Sequence, residues 1–374
     1  MRKLKKMMLY LFSFLLLLGV SITLFINLDP AFGGNPTKEQ KETYQNLSNY
    51  VNGKFVNEVP TDVMNSSDAS STNKDSTSEA KDRNPAGPIP VSVIDWNKIK
   101  SENDSLTWFG HSAFLLSIDN KKLLIDPMLS PIASPVSFAG VRRYNYSKDI
   151  MLHLIDEMPP IDAVFITHDH YDHLDYQSIV KLKSKVSHFF VPLGVSAHLI
   201  RWGIPKENIT ELNWWEETKY QGLTVALTPA RHFSGREPFN IDTTLWGGWA
   251  ILGKNKRLFT SGDGGYDTHF KEVGKKYGPF DITLIEGGQY DRRWADIHMT
   301  PEQSVQANLD VNGKTMMLMH WGAFTLANHS WKEPIERALK EAKKREVNIV
   351  APKIGETVLL DSDLHMPLNS WWNF

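Results

Sequence analysis

Seven consecutive residues, Thr167-His168-Asp169-His170-Tyr171-Asp172-His173, hold three imidazoles and two carboxylates. Such crowding has little structural purpose unless cations neutralise and order it. The chain has no cysteine, so thiol nucleophiles, Cys-ligated zinc and iron–sulfur clusters are excluded, and His, Asp and Glu are left as the good ligands. Further ligand-type residues follow later apolar runs: His232 after Leu223 to Pro229, Asp263 after Leu258 to Gly262, and His320 after Thr315 to Met319. Any one of them alone reads as an ordinary structural residue. Together they stand at strand ends, where a sheet fixes the backbone and loops free the side chains, and they read as one metal centre. His298 precedes a helix start, a place that favours anions. Asp126, in Leu124-Ile-Asp-Pro127, closes an early strand and reads equally well as a turn aspartate before proline.

The elements that must position these residues are legible from their patterns. Strands are expected at Ser105 to Phe109, Ala113 to Ile118, Lys122 to Ile125, Ala163 to Thr167, Leu223 to Thr228, Arg257 to Thr260, Ile282 to Ile285 and Thr315 to Met319. Helices are expected at Tyr176 to Lys185, Pro301 to Asn308 and Lys332 to Arg345. The second opens on Thr300-Pro301-Glu302-Gln303, with an N-cap, a proline at the first helical position and a capping-box glutamine. Mixed strands and helices argue for a layered α/β domain.

Around that domain the composition changes. Lysines and an arginine precede an apolar run from Met7 to Leu28, long enough to span a bilayer as one helix of about 20 residues. The basic cluster should stay in the cytoplasm, which places the rest of the chain outside the cell membrane. The alternative is a cleaved signal and a secreted protein, although no clear small-x-small site follows the run. The expected organisation is an anchor at 1–28, an extension at 29–89 and a catalytic domain at 90–374. Within the extension, Thr61 to Asn84 is polar with hardly an apolar side chain and is expected to be a flexible tether. With 41% hydrophobic residues the chain can bury a large core, and a formal net charge of -2 gives no basic field for nucleic acid.

His168, His170, Asp172 and His173 match the HxHxDH signature of the metallo-β-lactamase-fold superfamily, and the chain resembles its N-acyl-phosphatidylethanolamine-hydrolysing phospholipase D branch. That second likeness is carried by Phe32-Gly-Gly-Asn-Pro36, Gly53-Lys-Phe-Val-Asn57, Thr107-Trp-Phe-Gly-His-Ser112, Leu124-Ile-Asp-Pro127, Asp242-Thr-Thr-Leu-Trp-Gly-Gly-Trp249 and His298-Met-Thr-Pro-Glu302. It implies an αββα four-layer sandwich and two zinc ions. One ion would be held by His168, His170 and His232, the other by Asp172, His173 and His320, with Asp263 bridging. Asp126 would orient a ligand imidazole. His298 and Asp172 would carry catalysis, His298 by binding phosphate or protonating the leaving alcohol, with hydroxide between the ions as nucleophile. His111 is expected to support the site or the fold rather than to react. The implied partners are a phospholipid substrate and a membrane. The alternative keeps the metals and changes the substrate, giving a lactonase or another hydrolase of soluble compounds. A non-catalytic scaffold fits poorly, because every expected ligand is present. The tryptophan clusters at Trp214-Trp215, Trp246 with Trp249, and Trp371-Trp372 either line an acyl-chain groove or fill the core. The C-terminal pair is the hardest to place in a core.

Overall fold

The computed structural model describes residues 2–64, 80–148, 152–360 and 370–374. Two seven-stranded sheets form its centre. In spatial order the first comprises Ile209–Leu212, Phe189–Pro192, Ala163–Phe165, Lys121–Ile125, Phe114–Ile118, Ser105–Trp108 and Thr357–Leu359. The second comprises Glu217–Tyr220, Leu223–Thr228, Gly248–Leu252, Arg257–Thr260, Phe280–Glu286, Gly313–Met319 and Asn348–Val350. Each sheet is antiparallel at one side and parallel at the other; Arg257–Thr260, Phe280–Glu286 and Gly313–Met319 run parallel in register Leu258 to Ile282 to Thr315.

The inner strands are apolar because helices cover one face of each sheet and the other sheet covers the second. Trp249 shows the join: its ring lies 5.5 Å from Phe165 across the sandwich, and its indole N–H donates to the Ile166 carbonyl at 2.9 Å. Helices Pro301–Asp310 and Glu333–Arg345 lie outside the second sheet, and Thr300 caps the former with the expected reciprocal box to Gln303. This is the αββα sandwich, and every strand and helix expected from the sequence is present within a few residues.

Before this body stands the helix Arg2–Leu28, exposed along its length and apolar enough to cross a membrane. Residues 29–64 then lie along the sandwich. Phe55 is buried against Tyr44 and Tyr50, and Thr61 and Pro60 accept from Arg231 at 3.1 and 2.8 Å. Most of the stretch expected to be a flexible tether, 65–79, lies outside the described residues. Its far end packs on the body, where Arg83 Nε donates to the Ala327 carbonyl at 3.1 Å. The tryptophans are core residues for the most part. Contrary to the expectation for the C-terminal pair, Trp371 and Trp372 are buried, with Trp371 stacked 5.4 Å from Trp321 and its indole N–H on the Ala351 carbonyl at 3.1 Å.

Candidate metal centre

Strand Ala163–Phe165 runs out into the histidine-rich loop, and Asp175 ends that loop by capping helix Tyr176–Leu182. Between them the backbone turns on itself, with the amides of His173 and Leu174 both donating to the His170 carbonyl. The turn divides the loop's side chains into two sets. In the first, His170 Nδ1 lies 2.9 Å from His168 Nε2 and 3.3 Å from His232 Nε2. In the second, Asp172 Oδ2 lies 3.7 Å from His173 Nε2 and 3.2 Å from His320 Nε2. Asp263 stands between the sets: its Oδ2 is 2.9 Å from His320 Nε2, 3.1 Å from His173 Nε2 and 4.0 Å from His168 Nε2. Gly262 makes this placement possible, since its φ is +61° and a Cβ there would meet the Gly247 carbonyl at 2.6 Å.

A layer of hydrogen bonds aims these ligands. Asp126 Oδ2 takes His173 Nδ1 at 2.8 Å, while its carboxylate also accepts from the Thr167 amide and hydroxyl. His232 Nδ1 donates to the Ile297 carbonyl at 3.1 Å, which leaves Nε2 facing inward. The backbone of His232 is gripped by Asn57, whose Nδ2 donates to its carbonyl at 2.7 Å and whose Oδ1 accepts its amide at 3.1 Å. Glu286, at the end of its strand, accepts from His298 Nδ1 at 3.1 Å and from the Met299 amide at 2.9 Å, and lies 3.4 Å from His320 Nδ1. Asp126, His111 and His320 all adopt positive φ, a conformation that costs non-glycine residues on the order of 1 kcal/mol or more and that gathers at functional sites.

Electrostatics test whether this donor set fits metal. Burial pushes His168 and His232 well below their ordinary range, and their mutual crowding with His170 adds to it. They are therefore neutral and offer lone pairs. Burial also opposes charge on His173 and His320, but Asp263 and Asp172 outweigh it; His173 is pushed up to about 10 and His320 well above its usual value. Those two protons supply the positive charge that two buried carboxylates require. Asp263 Oδ1 is buried without any hydrogen-bond partner. Clustered neutral imidazoles, an orphaned carboxylate oxygen and protons held between acids are what a divalent cation would replace, so the residues fit metal. His111 belongs to the second set: its Nε2 is 2.8 Å from Asp172 Oδ2, and burial together with His320 pushes it down to about 3.

Comparisons with known proteins agree with this geometry. The beta-lactamase superfamily domain matches residues 121–321, which includes all seven of these candidate ligands. The chain belongs to the metallo-β-lactamase superfamily. Within it, an uncharacterized Mycobacterium tuberculosis protein is 43% identical over 292 residues, covering 77% of each chain. N-acyl-phosphatidylethanolamine-hydrolyzing phospholipase D 1 of Caenorhabditis elegans is 32% identical over 287 residues, covering 72% of this chain and 79% of its own. Igni18, a metallo hydrolase from the archaeon Ignicoccus hospitalis, superposes with a TM-score of 0.52 at 25% identity over 68% of this chain and 97% of its own. The superfamily member described here is a metal-dependent hydrolase.

All the sequence-predicted positions converge on this centre. His298 lies beside it without joining the histidine-rich loop; its ring is 5.2 Å from His232 and stacks 5.3 Å from His320. Three contributors were missed. Glu286 follows the expected strand Ile282 to Ile285 just as Asp263 and His320 follow theirs, so the same rule would have found it. Asn57 closes the stretch Gly53-Lys-Phe-Val-Asn57 that carries the likeness, but nothing in its sequence context assigns it a role at the centre, and His198 carries no local signal. Asp169, inside the signature, turns away from the ligands and accepts from Gly235, Thr244 and His198.

Proposed function

We propose that this hydrolase is a membrane-anchored phosphodiesterase that holds two divalent ions, zinc by the histidine-rich donor set, and cleaves N-acyl-phosphatidylethanolamine-like phospholipids with phospholipase D chemistry. The observation that carries the two-ion reading is Asp263 Oδ2, within 2.9 to 4.0 Å of imidazole nitrogens from both ligand sets. The ions would sit with His168, His170 and His232 on one side, Asp172, His173 and His320 on the other, and Asp263 between. Bound there, they supply Lewis acidity toward phosphoryl oxygens and bring the pKa of water down to about 7. The likeness to the Caenorhabditis elegans phospholipase supports a lipid phosphodiester over a lactone.

The chain's own residues complete the reaction. His298 engages Glu286 through Nδ1, which leaves Nε2 to face substrate, and burial of Glu286 is outweighed by His298 and His320 so that it stays a carboxylate. That arrangement suits an imidazole that donates a proton to a departing alkoxide. A groove of about 460 Å³ runs past His232 between the 55–63 segment and Trp246, and another of about 480 Å³ opens at His298 beside Tyr290 and Arg292. The first is walled by the candidate ligand His232 and the second by His298 beside the centre, an arrangement that suits a two-armed lipid. In the proposed step water's oxygen bonds to phosphorus, the phosphorus–oxygen bond to the N-acylethanolamine breaks, the alkoxide takes a proton from His298, and the proton released by the water returns through solvent to restore His298. Hydrolysis in oxygen-18 water should therefore label phosphatidic acid and leave N-acylethanolamine unlabelled. Label in the alcohol, release of diacylglycerol, or turnover of lactones with none of phospholipids would overturn the proposal.

A further inference from the structure

Leaving the apolar helix Arg2–Leu28, the chain does not trail away from the body but is fastened to it at once. Asp29 caps the short 3-10 turn Pro30–Phe32, and Phe32 packs edge-on against Phe25 of the helix at 5.6 Å. Arg201 donates to the carbonyls of Asn27 and Asp29 at 2.6 and 3.1 Å, and also to that of Gly33. Trp202 Nε1 reaches the Pro30 carbonyl at 2.6 Å, and Arg236 the Ala31 carbonyl at 2.8 Å. Gly33 has φ +80°, and a Cβ there would run into His198. The end of the helix therefore has one fixed position on the body, and the side of the body around Arg201 and Arg236 is the side next to it.

That side carries unpartnered apolar side chains on the two elements that hold the linker. Ile200, on the helix with Arg201, is 42% exposed. Phe239 is 84% exposed and Ile241 41%, both on the loop that follows Arg236. The loop is built to keep Phe239 outward: Asn240 Oδ1 accepts the amides of Arg236 and Glu237, and Asn35 of the linker bonds Asn240 at 3.3 Å and Glu237 at 3.4 Å on either side of it. Single exposed apolar residues are ordinary, but a group of them tied to the end of an apolar helix is not.

We infer that the face bearing Ile200, Phe239 and Ile241 lies against the lipid bilayer that the helix Arg2–Leu28 spans, with Phe239 inserted among the acyl chains next to the helix. The inference rests on the anchored reading of that helix. Lipid is the occupant because the patch is continuous with a segment whose own apolar surface is wholly exposed and because the linker leaves no slack for the face to turn away. The consequence is an orientation. The same loop begins at His232 and Phe233, whose ring is 4.5 Å from that of His170, so seating Phe239 in the bilayer sets the metal centre at the lipid surface.

The absence of native cysteine allows a direct test with the full chain in vesicles of phosphatidylcholine and phosphatidylethanolamine. Three single-cysteine variants, Leu15→Cys in the helix, Phe239→Cys, and Lys254→Cys on the exposed turn at the pole opposite Asp263, are each labelled with a polarity-sensitive fluorophore. A fraction of the lipids carries a nitroxide quencher in the acyl chain. The expected result is loss of fluorescence at positions 15 and 239 and none at 254. Quenching at 15 with position 239 behaving like 254 overturns the inference and leaves the anchor intact. A blue-shifted but unquenched label at 239 means that protein covers the face, which also overturns it. No quenching at 15 removes both the anchor and the inference.

Discussion

Asn57→Ala deletes two hydrogen bonds, both to the backbone of the candidate ligand His232 and both reaching across 175 residues of sequence. Each neutral hydrogen bond contributes about 1 kcal/mol, so roughly 2 kcal/mol of restraint on the His232 backbone should be lost. The imidazole keeps its own bond from Nδ1 to Ile297, which limits the damage to the position of the ring rather than its tautomer. If the whole loss is felt as misplacement of one ligand, metal affinity at the set of His168, His170 and His232 falls by at most about 30-fold, since 1.4 kcal/mol is a factor of ten. The assay is a chelator competition that titrates the metals, run beside urea unfolding of the metal-free chain. Weakened binding at one of two sites with a smaller loss of metal-free stability supports the clamp. Unchanged metal affinity with the full 2 kcal/mol lost from metal-free stability would refute it, because Asn57 would then hold the fold and not the ligand.

Asp263→Ala removes the one carboxylate among the described residues that approaches both ligand sets, and elemental analysis should find the metal content of the purified protein sharply reduced; a full complement in an active variant would reject the shared-ligand role. Asp126→Ala frees His173 to rotate and should lower metal affinity or turnover by about 10- to 100-fold, as outer-sphere partners of ligands do. His298→Ala should slow phospholipid turnover by about 100-fold or more while metal content stays unchanged, and loss of metal would make His298 a ligand instead. Away from the centre, burial pushes His269 down to about 4 in the folded protein, with Asp267 and Arg231 acting on it in opposite senses. The unfolded chain binds this proton below pH 6.5 and the folded one does not until about pH 4, so stability is full above 6.5 and falls as pH drops through that window, by up to about 3 kcal/mol. Urea unfolding at pH 7 and pH 5 should show a steeper loss for the parent protein than for His269→Gln, and parallel losses would contradict the assignment.

The histidine-rich loop was legible because ligand geometry there is local: a tight turn needs the donors adjacent in sequence, and no other use explains so many. His232, Asp263 and His320 were legible through their strands, since a strand buried on both faces writes a continuous apolar run and the next polar residue marks its open end. The edge strands Ile209–Leu212 and Glu217–Tyr220 were not, because a strand with one solvated side loses that run; Glu217 and Lys219 point outward and read as loop. Asp169 shows a different limit. Its residue type and its place between two ligands both say metal, yet only the fold shows that His198, Thr244 and Gly235 claim its oxygens. One of those partners also reaches the linker, because His198 accepts the Gly34 amide at 3.0 Å. One buried carboxylate thus connects the ligand loop to the segment that leaves the apolar helix. Such a connection exists only between parts of the chain far apart in sequence, where no pattern of spacing records it, and it gives a physical reason for the linker and the centre to be built as one unit. A side chain introduced at Gly33 would press on His198, then on Asp169, and so on the backbone between His168 and His170.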